Sequence, residues 1–377
     1  MNFFLNSPNI SKLEKKYVLD VFKSKWLSSN GKHTQIFQNK VVKFLNSKYC
    51  LAVQSGTAAL HVALKGIGIK KNDKVIVPNF TCNSNISAIS QCNAIPIIVE
   101  IEKDTLGLDF KLTKNAIDKY KPKALQLVHV YGFPARDTKK IISYCKKKGI
   151  IVIEDASESL GAKIGNKQVG TFGDINVIST RSEKMIGVGE GGIIVSKNRI
   201  LFEKVKLFAS RNSPYRSKKD PYWVKYYTNG EGYNYLMPHL LGAVGRGQIE
   251  RFKKDILPRK IKLGKIYRKI FVHPKIKFSQ KLIKGHKPVF WLNSVYFKNF
   301  NTNKVRQIGN YLLKKKIEIR PGFWPMNELK NFKSIYVGKK NFSKEIFNKS
   351  IVLPSAYNLN EKDVKRIFSI ISNYLKK

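Results

Sequence analysis

An α/β architecture with a mostly parallel sheet is what this sequence of 377 residues predicts, on three observations. Through the first half, short apolar runs alternate with helical repeats, the pattern of strand–helix–strand crossovers that place helices on both faces of a sheet. One run, Ile151 to Ile153, ends in Glu154 and Asp155, as buried parallel strands do when they deliver a carboxylate to the carboxyl edge of the sheet, where ligands collect. From about Ile256 the alternation gives way to basic helices and scattered strand-like pieces. Residues 1–250 therefore read as a large α/β domain and residues 251–377 as a small α+β domain.

The elements follow in order. Leu13, Tyr17, Val18, Val21 and Phe22 recur at helical spacing in Ser11–Phe22, and Trp26–Gly31 breaks the pattern as a turn. A second helix carries Phe37, Val41, Val42 and Phe44, and Leu51–Val53 is a strand. Gln54–Leu60 is a small-residue turn opening a helix to about Gly66. Strands Val75–Val77, Pro96–Val99, Leu125–Val130 and Ile151–Ile153 then alternate with helices near Ser84–Ser90, Leu112–Tyr120 and Thr138–Lys148. Asp137 caps the last of these and Gly149 stops it. Asp174–Ser179 alternates like a strand, a loop carries Lys184, and Gly189–Gly192 turns into the strand Ile193–Val195. Leu201–Phe208 is helical, Asn212–Asn229 is a polar, aromatic surface loop, and Gly232–Met237 leads into a long helix through Gln248 and Phe252. The remainder holds strand-like pieces at Val289–Leu292 and Ser294–Phe297, a helix at Val305–Leu313, the segment Ile317–Pro325 and a closing helix, Glu361–Leu375.

Hydrophobic residues at 42% and aromatics at 11% exclude a disordered chain. The 71 Lys and Arg against 25 Asp and Glu give a formal net charge of +46, which attracts phosphates and polyanions at long range but says nothing of fold. The lysines sit in short patches beside apolar-periodic stretches, as solvated helix faces do. A nucleic-acid partner is the minor reading of that charge. Cys50, Cys82, Cys92 and Cys145 form no CxxC pair, which fits a reduced, cytoplasmic setting. No apolar run approaches the length of a membrane span.

The stretch from Ile151 to Gly192 carries the chemistry. Six acidic residues, Glu154, Asp155, Glu158, Asp174, Glu183 and Glu190, fall within it, while only Lys163, Lys167, Arg181 and Lys184 are basic between Glu154 and Glu190. Such local balance in a lysine-rich chain signals constraint on side-chain identity. A carboxylate, a hydroxyl and a lysine at successive strand ends suit pyridoxal phosphate, which needs a lysine for its Schiff base and an acid to keep its ring nitrogen protonated. Asp155 and Lys184 fill those roles. Upstream, Ser55-Gly56-Thr57 opens a helix whose amides suit a phosphate, although an ordinary serine cap explains the same residues.

Read together, these motifs resemble the DegT family of pyridoxal-phosphate-dependent nucleotide-sugar aminotransferases. The resemblance runs from about Trp26 to Pro354 and rests on WLSSNG from Trp26, SGTAALHVAL from Ser55, VHVYGFPARD from Val128, EDASESLGA from Glu154, Lys184 with GEGG five residues on, GYNY from Gly232 and IEIRPGFWPM from Ile317. Within the family it is most similar to the perosamine-synthase type, which aminates C4 of a nucleotide-linked 4-keto-6-deoxy sugar. The resemblance implies a fold-type-I aminotransferase working as a homodimer with active sites at the subunit interface, glutamate as donor and an amino sugar as product. Position by position it implies Lys184 as the Schiff-base lysine and Asp155 as the ring-nitrogen partner. Gly56, Thr57, Ala58 and Ser179 fall at the phosphate, and Cys82 and Glu158 beside the ring. Asn234 would reach the phosphate from the neighbouring subunit, and Trp26, Ser28, Arg320, Phe323 and Trp324 lie on the substrate side.

Several positions depart from the family pattern. Cys82 stands where an aromatic ring usually stacks on the cofactor, Ser182-Glu183 replaces Gly-Asn, Arg181 replaces an aromatic, Gly187 and Val188 stand where threonines are common, and Leu236 replaces an arginine. Glu183 beside Lys184 would raise the lysine pKa if the two paired. The alternative reading these departures support is a catalytically impaired or regulatory homologue.

Overall fold

A computed structural model describes residues 3–215 and 219–376; residues 216–218 of the expected Asn212–Asn229 loop lie outside the described residues. Helices α1 (Lys12–Ser24) and α2 (Lys32–Leu45) lead into β1 (Tyr49–Val53), α3 (Gly56–Gly66), β2 (Lys74–Pro78), α4 (Asn83–Gln91), β3 (Ile95–Val99), α5 (Phe110–Tyr120), β4 (Ala124–Val128), α6 (Thr138–Lys147) and β5 (Ile151–Asp155). A small ribbon, β6 (Lys163–Ile164) and β7 (Lys167–Gln168), precedes β8 (Ile175–Ser179), β9 (Gly192–Ser196) and α7 (Arg199–Ala209). Next come α8 (His239–Arg251), a π-helical turn at Phe252–Ile256 and α9 (Leu257–Ile270), which together form one uninterrupted helix. The chain closes with β10 (Ile276–Phe278), β11 (His286–Lys287), β12 (Asn293–Phe297), α10 (Thr302–Lys314), β13 (Ile335–Val337), α11 (Phe342–Lys349), β14 (Ser350–Leu353) and α12 (Glu361–Lys376).

The main sheet has eight strands in the order β1-β9-β8-β5-β4-β2-β3-β13. All run parallel except β9, which is antiparallel to both of its neighbours. That exception has a local cause. The link between β8 and β9 contains no helix, so the chain turns back along the strand it has just left instead of crossing over. Alternate side chains feed two cores. Val75, Val77, Ile153 and Val177 pack under α3, α4 and α7 with Ala59, Ile86 and Val205, while Ile76, Leu125, Leu127 and Val152 meet Ala116, Ile117, Ile141 and Cys145 of α5 and α6 on the other face. A third core lies in the carboxyl-terminal layer, where Val295, Phe297, Ile351 and Leu353 pack against Ile308, Ile367 and Ile371.

Two local expectations are corrected. Val289–Leu292 is not a strand; the strand begins at Asn293, and the four apolar residues before it are buried in irregular backbone, with Phe290 at φ +53 and packed against Gly264 of α9. Their apolarity reports burial, which periodicity alone cannot convert into pairing. Asp137 stands at the start of α6 but makes no cap hydrogen bond, because Arg136 holds its carboxylate at 2.8 Å.

Candidate active site

The parallel strands all present their carboxyl ends at one edge, and the loops leaving that edge meet there. After β1, Ser55 caps α3: its Oγ accepts the Ala58 amide at 3.0 Å, which leaves the amides of Gly56 and Thr57 for a bound anion. After β2 the chain supplies Thr81, Cys82, Ser84 and Asn85; β5 ends in Asp155, followed by Ser157 and Glu158; β8 ends in Ser179. These side chains enclose a cavity of ≈ 300 Å³ that Lys184 and Glu190 complete. Two glycines make the close approach possible. A Cβ at Gly56 would lie 2.9 Å from the Cβ of Ser179, and one at Gly192 would lie 2.4 Å from the Ser55 carbonyl. The last glycine of GEGG is therefore what lets β9 run against the start of α3.

Asp155 is 5% exposed, and both of its oxygens are engaged. Asn85 Nδ2 donates to Oδ2 at 3.0 Å and the Ser157 amide to Oδ1 at 2.9 Å, while the Asn85 amide oxygen takes the Thr81 hydroxyl at 2.8 Å. The preceding carboxylate, Glu154, turns away from the cavity and accepts from His129 Nε2 at 3.0 Å and from the Gly170 amide at 2.7 Å, so it anchors the next loop.

Lys184 pairs with Glu158, Nζ to Oε1 at 3.2 Å, and its Nζ lies 3.8 Å from the centre of the Trp291 ring. The Tyr131 amide donates to the other Glu158 oxygen at 2.8 Å. Burial holds the Glu158 pKa above its ordinary value, an effect that Lys184 and the Tyr131 amide partly offset. Glu183 does not pair with Lys184. Its carboxylate lies 3.3 Å from Arg181, whose guanidinium also reaches Glu190 at 3.1 Å. The departures at positions 181 and 183 are thus partners of one another, and the nearby carboxylates raise the Arg181 pKa.

A second cavity of ≈ 500 Å³ opens from the first through Cys82, Glu158, Arg181, Glu183 and Lys184, and adds Tyr131, Trp291, Glu318, Arg320, Phe323 and Trp324. Of the residues expected from sequence, Gly56, Thr57, Cys82, Asp155, Glu158, Ser179 and Lys184 line the first cavity, and Arg320, Phe323 and Trp324 the second. Ala58 sits behind the wall, 6% exposed. Trp26, Ser28 and Asn234 line neither cavity and are exposed on this chain, with the Trp26 carbonyl accepting from His239 Nδ1 at 2.7 Å and Asn234 bridged to Ser210. Sequence reasoning missed Asn85, Ser157, Tyr131 and Trp291. Ser157 and Tyr131 stood inside motifs already quoted, whereas Trp291 arrives from far along the chain and carried no local signal.

The site fits pyridoxal phosphate on its donor set. The cavity has a phosphate end built from free helix amides and the Thr57 and Ser179 hydroxyls, a buried carboxylate held in place by two donors, and a lysine at the junction with the second cavity. Among the described residues no cluster of side chains suits a metal ion, and no helix is long and apolar enough to cross a membrane.

Comparison with known proteins agrees with this geometry. The model of the DegT/DnrJ/EryC1/StrS aminotransferase family matches residues 8–372. The GDP-perosamine synthase of Vibrio cholerae is 34% identical over 370 residues, 97% of each chain, and that of Escherichia coli O157:H7 is 32% identical over 370 residues, again 97% of each. Among solved structures, a Helicobacter pylori aminotransferase involved in the biosynthesis of pseudoaminic acid superposes with a TM-score of 0.89 at 22% identity, covering 99% of both chains. The Escherichia coli GDP-4-keto-6-deoxy-D-mannose-3-dehydratase with bound hydrated PLP gives 0.87 at 22% identity, covering 98% of this chain and 99% of that one. At those identities the two structures speak to the fold alone. The chain belongs to the DegT/DnrJ/EryC1/StrS aminotransferase family, enzymes of fold type I that use pyridoxal phosphate.

Proposed function

We propose that this protein transfers the amino group of glutamate to the keto carbon of a nucleotide-linked 4-keto-6-deoxy sugar, in the cytoplasm and as a homodimer, for surface polysaccharide biosynthesis. The observation that carries the reading is Lys184, held half-buried between Glu158 and Trp291 at the junction of two cavities, with Asp155 lining the first. The two GDP-perosamine synthases at 32% and 34% identity support the sugar class. The second cavity has aromatic walls and two arginines, a lining suited to a base, a sugar and phosphates. Trp26, Ser28 and Asn234, exposed on this chain, are assigned to the site of a second copy. The division into units 1–250 and 251–377 belongs to the same proposal, supported by a carboxyl-terminal core to which Phe3 is the one buried contributor from the first unit.

Pyridoxal phosphate supplies, when bound, an electron sink that stabilises a carbanion beside the substrate nitrogen. The amides of Gly56 and Thr57 and the hydroxyls of Thr57 and Ser179 hold its phosphate. Asp155, fixed by Asn85 and Ser157, keeps a proton on the ring nitrogen. Lys184 Nζ would be the amine that holds the cofactor and, when free, would hold and move the proton at the reacting carbon. Glu158 Oε1 orients that amine and balances its charge, and the Trp291 ring keeps water from one side of it.

The test is an absorbance spectrum of the purified protein with pyridoxal phosphate, repeated after glutamate and with Lys184→Ala. We expect a visible band that glutamate shifts and that the variant lacks. A wild-type protein that forms no band would place it among the inactive homologues instead.

A further inference from the structure

Lys260, on α9, lines neither cavity and is 1% exposed. Burial pushes its pKa down to about 7. An ammonium has three N–H donors, and three acceptors meet this one: Asn6 Oδ1 at 3.1 Å, the Trp291 carbonyl at 3.1 Å and the Ser355 carbonyl at 2.5 Å. A neutral amine could serve only two of them, so the cage itself favours the charged form.

Each of these acceptors belongs to a segment that borders the catalytic lysine. Asn6 Nδ2 and Trp291 Nε1 both donate to the Glu183 carbonyl, and the Trp291 ring covers Lys184 Nζ at 3.8 Å. Ser355 reinforces both: its hydroxyl takes the Asn293 amide at 3.2 Å and its own amide donates to the Leu5 carbonyl at 2.6 Å. Tyr357, whose ring lies 4.8 Å from Lys260 Nζ, donates its hydroxyl to the Met185 carbonyl at 3.4 Å. The backbone on both sides of Lys184 is thus held by residues that meet at Lys260.

We propose that Lys260 is a positioning residue for Lys184: its ammonium gathers three separate segments around the Glu183 carbonyl and so sets the Trp291 ring over the reacting amine. The proposal rests on the role assigned to Lys184 above. A ring face attracts a cation, so displacing the ring removes a contact that favours positive charge at this place and frees the amine to move.

The test uses the full chain loaded with pyridoxal phosphate, as wild type, Lys260→Met and Asn6→Ala. Met keeps the length of the side chain without donors; Asn6→Ala keeps the Lys260 charge and removes one of the two grips on Glu183. The readouts are the pH midpoint of the visible band and, for the reaction with glutamate, the limiting rate and the half-saturating concentration. We expect the midpoint to move by about half a pH unit or more in Lys260→Met and downward in Asn6→Ala, the scale of a cation–ring contact. The limiting rate should fall about tenfold at little-changed half-saturation, as for loss of an interaction that serves the reacting state. A folded variant of either kind that matches wild type in midpoint and rate overturns the proposal, and if Lys260→Met does not fold, Asn6→Ala alone decides it. A wild type without a band overturns the functional reading, and this proposal with it.

Discussion

Lys184 pairs with Glu158, 26 residues before it, at 3.2 Å, and not with Glu183 beside it. Arg181 captures the Glu183 carboxylate at 3.3 Å. The acidic neighbour of Lys184 is thus occupied by Arg181.

That arrangement fixes the cost of removing the acid. Arg181 and Glu183 are 60% and 34% exposed at their side chains, so their pairing contributes about 1 kcal/mol or less. Glu183→Gln is expected to leave thermal stability close to wild type and the rate with glutamate within about twofold. A large gain in rate would show that Glu183 restrains Lys184 after all.

Asp155→Asn keeps the shape of the side chain and loses its charge. Turnover should drop by about 10²-fold or more while cofactor affinity changes far less, measured as kcat beside a cofactor titration. Unaltered turnover would remove Asp155 from its place at the ring nitrogen.

Glu158 gives a pH signature in the cofactor-free protein. Its folded-state pKa is raised above the ordinary 4.5, so the folded chain binds that proton more tightly than the unfolded chain. The stabilisation is complete below the unfolded value and is lost as pH rises through the folded one. Glu158→Gln has no such titration. The Tm of the variant minus that of wild type should become more positive as pH rises through this window, and a flat difference would contradict the raised pKa.

Gly192→Ala tests the cradle. The new Cβ would meet the Ser55 carbonyl at 2.4 Å, a backbone neighbour that cannot rotate away. Overpacking of this kind costs about 1–3 kcal/mol, and here it should also weaken cofactor binding by pushing the start of α3 off its place. Wild-type affinity in a destabilised variant would separate the strand contact from the phosphate end.

The alternation of apolar runs and helices made β1 to β5 and α1 to α6 legible, because each such unit signals its own period. The antiparallel course of β9 was not, since it depends on what the β8–β9 link lacks. β13, three residues long, joins the large sheet beside β3 from more than 200 residues away, and no pattern of its own announces it. At the site, Asp155 and Ser179, which end strands, and Lys184, in the loop after β8, were readable as residues that meet at one cavity. Asn85 and Trp291 were not, because their roles arise only when the sheet brings α4 under Asp155 and a loop of the last third over Lys184. Trp26, Ser28 and Asn234 face outward on a single chain, so their assignment waits on a second copy.

The unbroken helix from His239 to Ile270 bears on how the gene product can be handled. Cutting the chain at residue 250 to express two pieces would split that helix just before Phe252, which is 0% exposed and meets the Phe44 ring at 5.1 Å. The first fragment would lose the ring that closes its core, and the second would begin with a turn whose Phe252 and Ile256 have lost their cover and with the buried Lys260 without its Asn6 acceptor. Fragments made apart should aggregate, and made together they should reassemble around the severed helix, so a soluble truncation has to be sought elsewhere.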